Sequence, residues 1–404
     1  MIWLTFLSII LAAIALTLLL PTLSDLLSVA TIGVGRGRRP TARAEGSPPW
    51  RLLFLVPAHN EELLIERCVT SLMSLDYPAE LRSVLVVADN CTDRTAEIAR
   101  ASGASCIERD EPVLRGKPHA IVWALERCDL EAHDALIILD GDTIVDPAYA
   151  NAVSHVEDLP DKGAQAYNGV SNPNENALTR MSFVLSEMYY RFVYPLRQRA
   201  DLNPPLTGAG MCVGTAVLRR FGWQALSLSE DVEMYVLLTL GGVRTECVAE
   251  ARVYSQEAVG VSTAGSQRQR WRAGRLAILF RLGPAVMFGS GISARQRLDL
   301  VAELVSPGPA ALLGVVALLA PAAFLLPIPA GAWIGLALLS SLVRPAIYTT
   351  LTIAAQPNPV RVLSSFLYLP VYTGWRLITE LKTLTRVGDR RWIRTERQPV
   401  EPKE

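Results

Sequence analysis

Two charge-free apolar runs bracket a middle region in which short apolar strands alternate with helically spaced apolar positions. Residues 1–24 contain no charged side chain, and neither do the 40 residues 304–343. A helix needs about 20 apolar residues to cross a bilayer. The first run therefore suffices for one crossing and the second for two, divided at Pro327-Ile328-Pro329. Residues 362–375 form a third apolar piece between Arg361 and Arg376. That piece is short for a crossing unless its arginines snorkel, and it reads as interfacial or re-entrant. A buried helical hairpin in a soluble protein is the competing reading, and such charge-free length argues against it.

Between the runs, "RLLFLVPAHN" reads as a strand ending at Pro57, and "EELLIERCVTSLMSL" as a helix with acids in its first turn. "LRSVLVVADN" is a second strand, "CTDRTAEIARASG" and "GKPHAIVWALERC" are helices, and "ALIILDGD" is the next strand. This alternation predicts an α/β fold with a mostly parallel sheet. Ligands of such sheets bind beyond the carboxyl ends of the strands, where "PAHNE", "ADN" and "DGD" fall.

Composition narrows the function. Lys plus Arg and Asp plus Glu are each 39, so the net charge is zero and gives no sign of a nucleic-acid partner. The six cysteines contain no C-x-x-C pair and the four histidines no metal-ligand spacing, so zinc is not expected. The first run lacks a positive n-region and a nearby small-residue cleavage pattern, which favours an uncleaved anchor over a signal peptide. Arg36, Arg38, Arg39 and Arg43 follow it, and "KTLTRVGDRRWIRTERQ" lies near the other end. Both basic segments are expected on the cytoplasmic side, which requires an even number of crossings between them. "GVGRGRR" has neither strand before it nor helix after it, and reads as a linker.

The stretch "LDGD" poses a chemical question, because Asp140 and Asp142 flank a single glycine at a strand end. Like charges so close need a positive charge between them. Mg²⁺ and Mn²⁺ take one or two carboxylates together with substrate phosphates, and a central glycine leaves room for a diphosphate beside the backbone. Asp142 is the expected metal ligand, with Asp140 directed to the metal or a ribose. A bare D-x-D also occurs in surface loops, but here a buried strand precedes it.

The ordered set "VPAHNEE", "VVADNCTDRTA", "RGKPHA", "LDGD", "TGAGM", "SEDVE" and "QRQRW" resembles the family 2 membrane glycosyltransferases of GT-A fold, the group of cellulose, hyaluronan and poly-N-acetylglucosamine synthases. The likeness covers roughly residues 50–275. It implies an inverting, metal-dependent transfer (EC 2.4) of a sugar from a nucleotide sugar, usually UDP-linked, to an acceptor hydroxyl. By that resemblance Pro57, His59 and Glu61 surround the base and ribose, Asp89 binds the uridine, and Lys117 lies near the nucleotide. Asp140 and Asp142 hold the metal, and Asp231 is the general base. Glu230, Gln267, Arg270 and Trp271 face acceptor and diphosphate, the last three sharing one helix face by their spacing. The acids of "SEDVE" would also suit a helix start, and "SQRQRWRAGR" would also suit a basic interfacial helix, the expected role of Arg268, Arg272 and Arg275. The "ADN" and the central glycine of "DGD" depart from many relatives and leave the sugar open.

The expected organisation is an N-terminal transmembrane anchor at 1–30, a basic linker at 31–49 and a GT-A domain at 50–275. An amphipathic interfacial segment at 276–303, a membrane region of two to three segments at 304–380 and a basic tail at 381–404 follow. The expected setting is the inner membrane, multi-pass, with the catalytic domain cytoplasmic. The expected partners are a UDP-sugar, a polysaccharide or lipid acceptor, membrane lipid, and an export partner or second copy. Exopolysaccharide synthesis is the first reading. A ceramide-glucosyltransferase-like enzyme adding one sugar to a lipid is the second, and a silent nucleotide-sugar-binding scaffold the third.

Overall fold

The computed structural model describes residues 2–38, 43–44 and 46–384. They divide into two compact units, one drawn from 43–44, 46–172 and 203–258, the other from 2–38, 173–202 and 259–384.

The first unit is built on one sheet of eight strands: β1 (Leu52–Ala58), β2 (Arg82–Asp89), β3 (Ser105–Arg109), β4 (Ala135–Ile138), β5 (Ile144–Val145), β6 (Gly163–Val170), β7 (Met211–Gly214) and β8 (Thr245–Ser255). Their order is β3-β2-β1-β4-β7-β6-β8-β5. The run β3-β2-β1-β4 is parallel, as expected. β7 then lies antiparallel between β4 and β6, while β6 and β8 pair in parallel.

β1 explains its own sequence. Both faces of Leu52–Val56 are buried, so the strand reads as a continuous apolar run. Phe54, Val56 and Ala58 join Ile65, Cys68, Leu72, Ala99 and Tyr149 from the helices Ile65–Met73, Thr95–Ala101 and Tyr149–Ser154. Alternation turns Leu53 and Leu55 to the other face, where the helix Lys117–Leu125 packs. The strand tolerates Pro57 because pairing with β4 stops at Leu55–Ile138. Leu55 accepts the N–H of Leu139 at 3.1 Å. A donor two residues further on that edge would point past the end of β4.

The helix expected from residue 61 begins at Ile65. The backbone N–H groups that would open it are already engaged, Glu61 donating to Thr95 Oγ1 at 2.8 Å and Glu62 to Asp93 Oδ2 at 3.2 Å. Side-chain acceptors from the β2–helix connection thus hold the chain in a loop.

The second unit is helical. Ile2–Gly33 and Pro329–Ala354 are long and apolar enough to cross a membrane, and Ala294–Val305 with Pro309–Phe324 form a pair bent by 79°. Leu11 and Ala15 of the first helix pack on Leu312, Val316, Ala320, Ile334 and Leu338. The apolar stretch at 362–375 is split among Pro359–Ser364, a 3₁₀ turn and Leu369–Leu384. The tail segment "RWIRTER" and residues 39–42 and 45 of the basic linker lie outside the described residues.

The three arginines expected at a membrane surface each have partners within this unit. Arg268 is buried and donates to Ser182 Oγ at 2.9 Å. Arg275 meets Glu303 at 3.0 Å. Arg272 pairs with Glu380 at 3.1 Å and donates to the carbonyls of Leu304, Val305 and Ser306. Those carbonyls end the helix Ala294–Val305, where the bend leaves them without intrahelical partners. Arg272 therefore secures the bend. Arg272→Ala is expected to cost about 2 kcal/mol, less than a fully buried pair because both side chains keep some exposure. Thermal unfolding in detergent would show it as a lowered Tm, with nucleotide binding retained.

Candidate active site

Of the residues predicted for the site, Lys117, Asp140, Glu230 and Asp231 come together in the sheet unit. Asn60 and Asn90, just beyond β1 and β2, both adopt left-handed backbone conformations, with φ of 56° and 50°. Asparagine tolerates this turn. Asn60 Oδ1 accepts the N–H of Thr92 at 2.8 Å, and His59 Nδ1 donates to the carbonyl of Asp89 at 2.7 Å. That second bond places the His59 proton on Nδ1 in the neutral ring, leaving Nε2 as the acceptor.

Lys117 is the centre of the arrangement. It is the first residue of the helix Lys117–Leu125, and its Nζ lies 2.7 Å from Asp140 Oδ1, 3.2 Å from Glu230 Oε1 and 2.9 Å from the carbonyl of Gly208. Burial opposes its charge, yet Asp140 and Glu230 outweigh burial and raise its pKa. Burial pushes Glu230 up to about 7, with Lys117 pulling the other way and Asp231 and Asp140 adding to the rise. The positive charge that "LDGD" demanded is thus supplied, at Asp140, by this ammonium.

Glu230 and Asp231 open the helix Glu230–Leu240, whose first turn carries a third acid, Glu233. Glu233 Oε2 accepts the N–H of Ser227 at 2.7 Å and fixes the entering loop. Asp231 Oδ1 accepts the N–H of Val232 at 2.8 Å. A methyl group built on Gly208 would stand 3.5 Å from Lys117 Nζ, 3.7 Å from Asp231 Oδ2 and 3.9 Å from Asp140 Oδ2. One glycine therefore faces three charged groups gathered from three distant segments.

Gly208 was visible in the sequence only as part of a small-residue stretch. Gln165 was missed. Wholly buried on β6, it accepts the N–H of Thr207 at 2.7 Å and donates to the carbonyl of Ala209 at 3.0 Å, so it holds the backbone on both sides of Gly208. A glutamine in "KGAQAYN" has no local signature for that role.

Gly208→Ala separates folding from function. The added methyl makes only ordinary contacts, so Tm should stay within about 2 °C. It would nevertheless occupy the space between Lys117, Asp231 and Asp140. Any reaction at this site is expected to slow at least about tenfold, or 1.4 kcal/mol.

Asp89 sits in a different environment. Its carboxylate is buried, paired with the guanidinium of Arg109, and accepts the N–H of Gly116 at 3.4 Å. Arg109 also donates to the carbonyl of Leu114. Arg109 went unnoticed in the sequence because β3, a short strand reading "SCIER", has no apolar run. The pair ties the end of β2 to the loop that leads into Lys117.

Asp142 is buried. After burial, the charges of Asp142 and Asp140 are what raise the Cys68 thiol, and Cys68 Sγ lies 3.7 Å from the Asp140 carbonyl. Between the two acids, a side chain on Gly141 would come within 3.1 Å of Glu61 Cγ. Among the described residues no group of three or more His, Cys, Asp or Glu side chains is arranged to hold a metal ion. Two hard carboxylates nonetheless fit Mg²⁺ or Mn²⁺ when diphosphate oxygens complete the shell.

Gln267, Arg270 and Trp271 lie on the helix Val261–Phe288, in the other unit. The helix bears out the i, i+3, i+4 spacing, and Trp271 is exposed.

Residues 48–274 match the family described as glycosyltransferase-like family 2. Over 271 residues the chain is 27% identical to a β-monoglucosyldiacylglycerol synthase of Nostoc sp., covering 62% of this chain and 55% of that protein. Over 234 residues it is 21% identical to a poly-β-1,6-N-acetyl-D-glucosamine synthase of Staphylococcus epidermidis, covering 56% and 55%. The chain spans about half the length of these curated relatives. Among solved structures it is similar to the mannosyltransferase PcManGT of Pyrobaculum calidifontis in complex with GDP-Man and Mn²⁺, with a TM-score of 0.56 and 20% identity over 93% of this chain and 99% of that one. At that identity the likeness is one of fold, the GT-A arrangement of the sheet unit.

Proposed function

Because the chain belongs to glycosyltransferase-like family 2, we propose that it inverts the anomeric centre of a UDP-sugar while transferring the sugar to the hydroxyl of a membrane lipid. The observation that supports this reading best is the meeting of Lys117, Asp140 and Asp231 around Gly208 at the strand ends.

In the proposed reaction the acceptor oxygen attacks the anomeric carbon as its bond to the diphosphate breaks. Asp231 takes the acceptor's proton. It is helix-mounted with one oxygen tied to its own turn, and that fixed position fits it for the role. The electron pair leaves with the nucleoside diphosphate, and Lys117 offers its ammonium to that growing negative charge. Asp140 and Asp142 would hold Mg²⁺ or Mn²⁺, an ion that neutralises diphosphate charge when bound. Pro57, His59, Glu61 and Asp89 frame the nucleotide, with Arg109 holding Asp89 in place. Glu230, 3.2 Å from Lys117, stands on the diphosphate side of the same cluster.

A lipid acceptor is favoured over a polymer because the glycolipid synthase matches at higher identity than the polysaccharide synthase. The apolar helices support a multi-pass membrane enzyme, and the basic segments beside them support a donor site on the cytoplasmic face. The test is a panel of UDP-sugars with Mg²⁺ or Mn²⁺ and diacylglycerol, reading released UDP and the labelled product. A single-sugar lipid is expected, with turnover lost in EDTA. Long labelled chains would restore the polysaccharide reading, and no turnover with any donor would favour a silent scaffold.

A further inference from the structure

The last stretch of the helical unit, residues 259–384, is far more basic than the chain as a whole. It holds eleven Lys or Arg side chains against three acids, Asp299, Glu303 and Glu380, a balance of +8 in a chain whose total is zero. Excess charge of that sign beside apolar helices belongs at an anionic membrane surface. The three acids are already engaged. Asp299 and Glu303 serve Arg197 and Arg275, and Glu380 serves both Arg272 and Arg376.

That shared carboxylate leaves a donor over. Arg376, on the helix Leu369–Leu384, gives Nη2 to Glu380 at 3.0 Å, while its Nη1 is buried with no hydrogen-bond partner. Leaving a buried N–H of a charged group without an acceptor costs stability. On the helix Val261–Phe288, the Arg268 guanidinium lies 5.6 Å from the ring of Trp375, and its charge acts against that of Arg376. Two guanidinium groups so placed are best held by an anion within reach of both. The Arg376 side chain keeps 12% of its surface exposed, so the pair opens at a rim. Val371 and Ile378, at helical spacing before and after Trp375, are exposed apolar side chains. Donors suited to phosphate thus stand on the same helix as a surface suited to acyl chains.

We propose that Arg268 and Arg376 bind the headgroup phosphate of an anionic phospholipid whose acyl chains lie along Val371 and Ile378. An arginine meets phosphate oxygens with a planar fork of N–H groups. A zwitterionic lipid carries the same phosphate together with an ammonium, which the two arginines repel. The net charge of the headgroup therefore selects the lipid. Its binding requires neither donor nor acceptor.

The experiment is native mass spectrometry of the full chain released from nanodiscs of mixed phosphatidylcholine and phosphatidylglycerol. Phosphatidylglycerol is expected to stay bound and phosphatidylcholine to leave. Arg376→Gln and Arg268→Gln should each lower retention about fivefold, the effect of one lost basic contact at a membrane surface. Arg376→Lys, which keeps the charge, should retain most of the binding. Lys382→Gln removes the same charge from an exposed position of the same helix and should change nothing. Equal retention of the two lipids by the unaltered protein, or equal loss in Lys382→Gln, would overturn the proposal. So would displacement of phosphatidylglycerol by inorganic phosphate, which would make the ligand a free anion.

Discussion

Asp231→Asn is expected to lower the kcat of sugar transfer by about 10²- to 10⁴-fold, the range lost with a positioned general base. The donor KM should change little, because Asp231 is assigned to the acceptor's proton and not to the nucleotide. Asparagine keeps the size and still accepts the N–H of Val232, now 2.8 Å from the carboxylate, so the helix start should survive. Steady-state transfer and UDP titration of the same preparation would separate the effects. Equal loss of donor binding would move Asp231 from base to donor ligand.

Lys117→Met has the second-largest expected effect. It removes the ammonium that sits 2.7 Å from Asp140 and 3.2 Å from Glu230, leaving Asp140, Glu230 and Asp231 close together with no compensating charge. Burial already raises Glu230 to about 7 with the lysine present. Without it, the acids would repel both one another and an incoming diphosphate. Donor affinity should fall about 10- to 100-fold, or about 1.4 to 2.7 kcal/mol. That is near the lower end of the roughly 2–5 kcal/mol typical of breaking a fully buried pair, because Asp140 is partly exposed. Lys117→Arg should restore part of it, since the charge returns with a different shape. Isothermal titration with UDP provides the measurement. Unchanged affinity in Lys117→Met would show that Lys117 serves the fold alone.

Much of the site was legible because its acids stand at strand ends, and strands such as "LLFLV" and "ALII" announce themselves by unbroken apolarity. The helix carrying Gln267, Arg270 and Trp271 was likewise readable from spacing. What escaped has physical causes. β6, β7 and β8 are stabilised by pairings between distant segments, such as Gly163 with Thr245 and Ala135 with Gly214, and their short or mixed sequences carry no period. Glu61 belongs to a loop because Thr95 captures its N–H, a contact from 34 residues away. The acceptors of Arg268, Arg272 and Arg275, namely Ser182, the helix-end carbonyls and Glu303, had no signature in the local sequence. Local pattern reports the periodic burial of a segment, whereas partner identity is set by tertiary packing.

The most direct measurement is isothermal titration of the full chain with UDP in Mn²⁺, for the unaltered protein and for Asp142→Asn, Lys117→Met and Arg272→Ala. One site per chain is expected, with affinity at least about tenfold weaker in the first two variants and unchanged in Arg272→Ala. Equal affinity in all four proteins, or no saturable binding of UDP or GDP in any, would contradict a donor site at the ends of β1, β2 and β4.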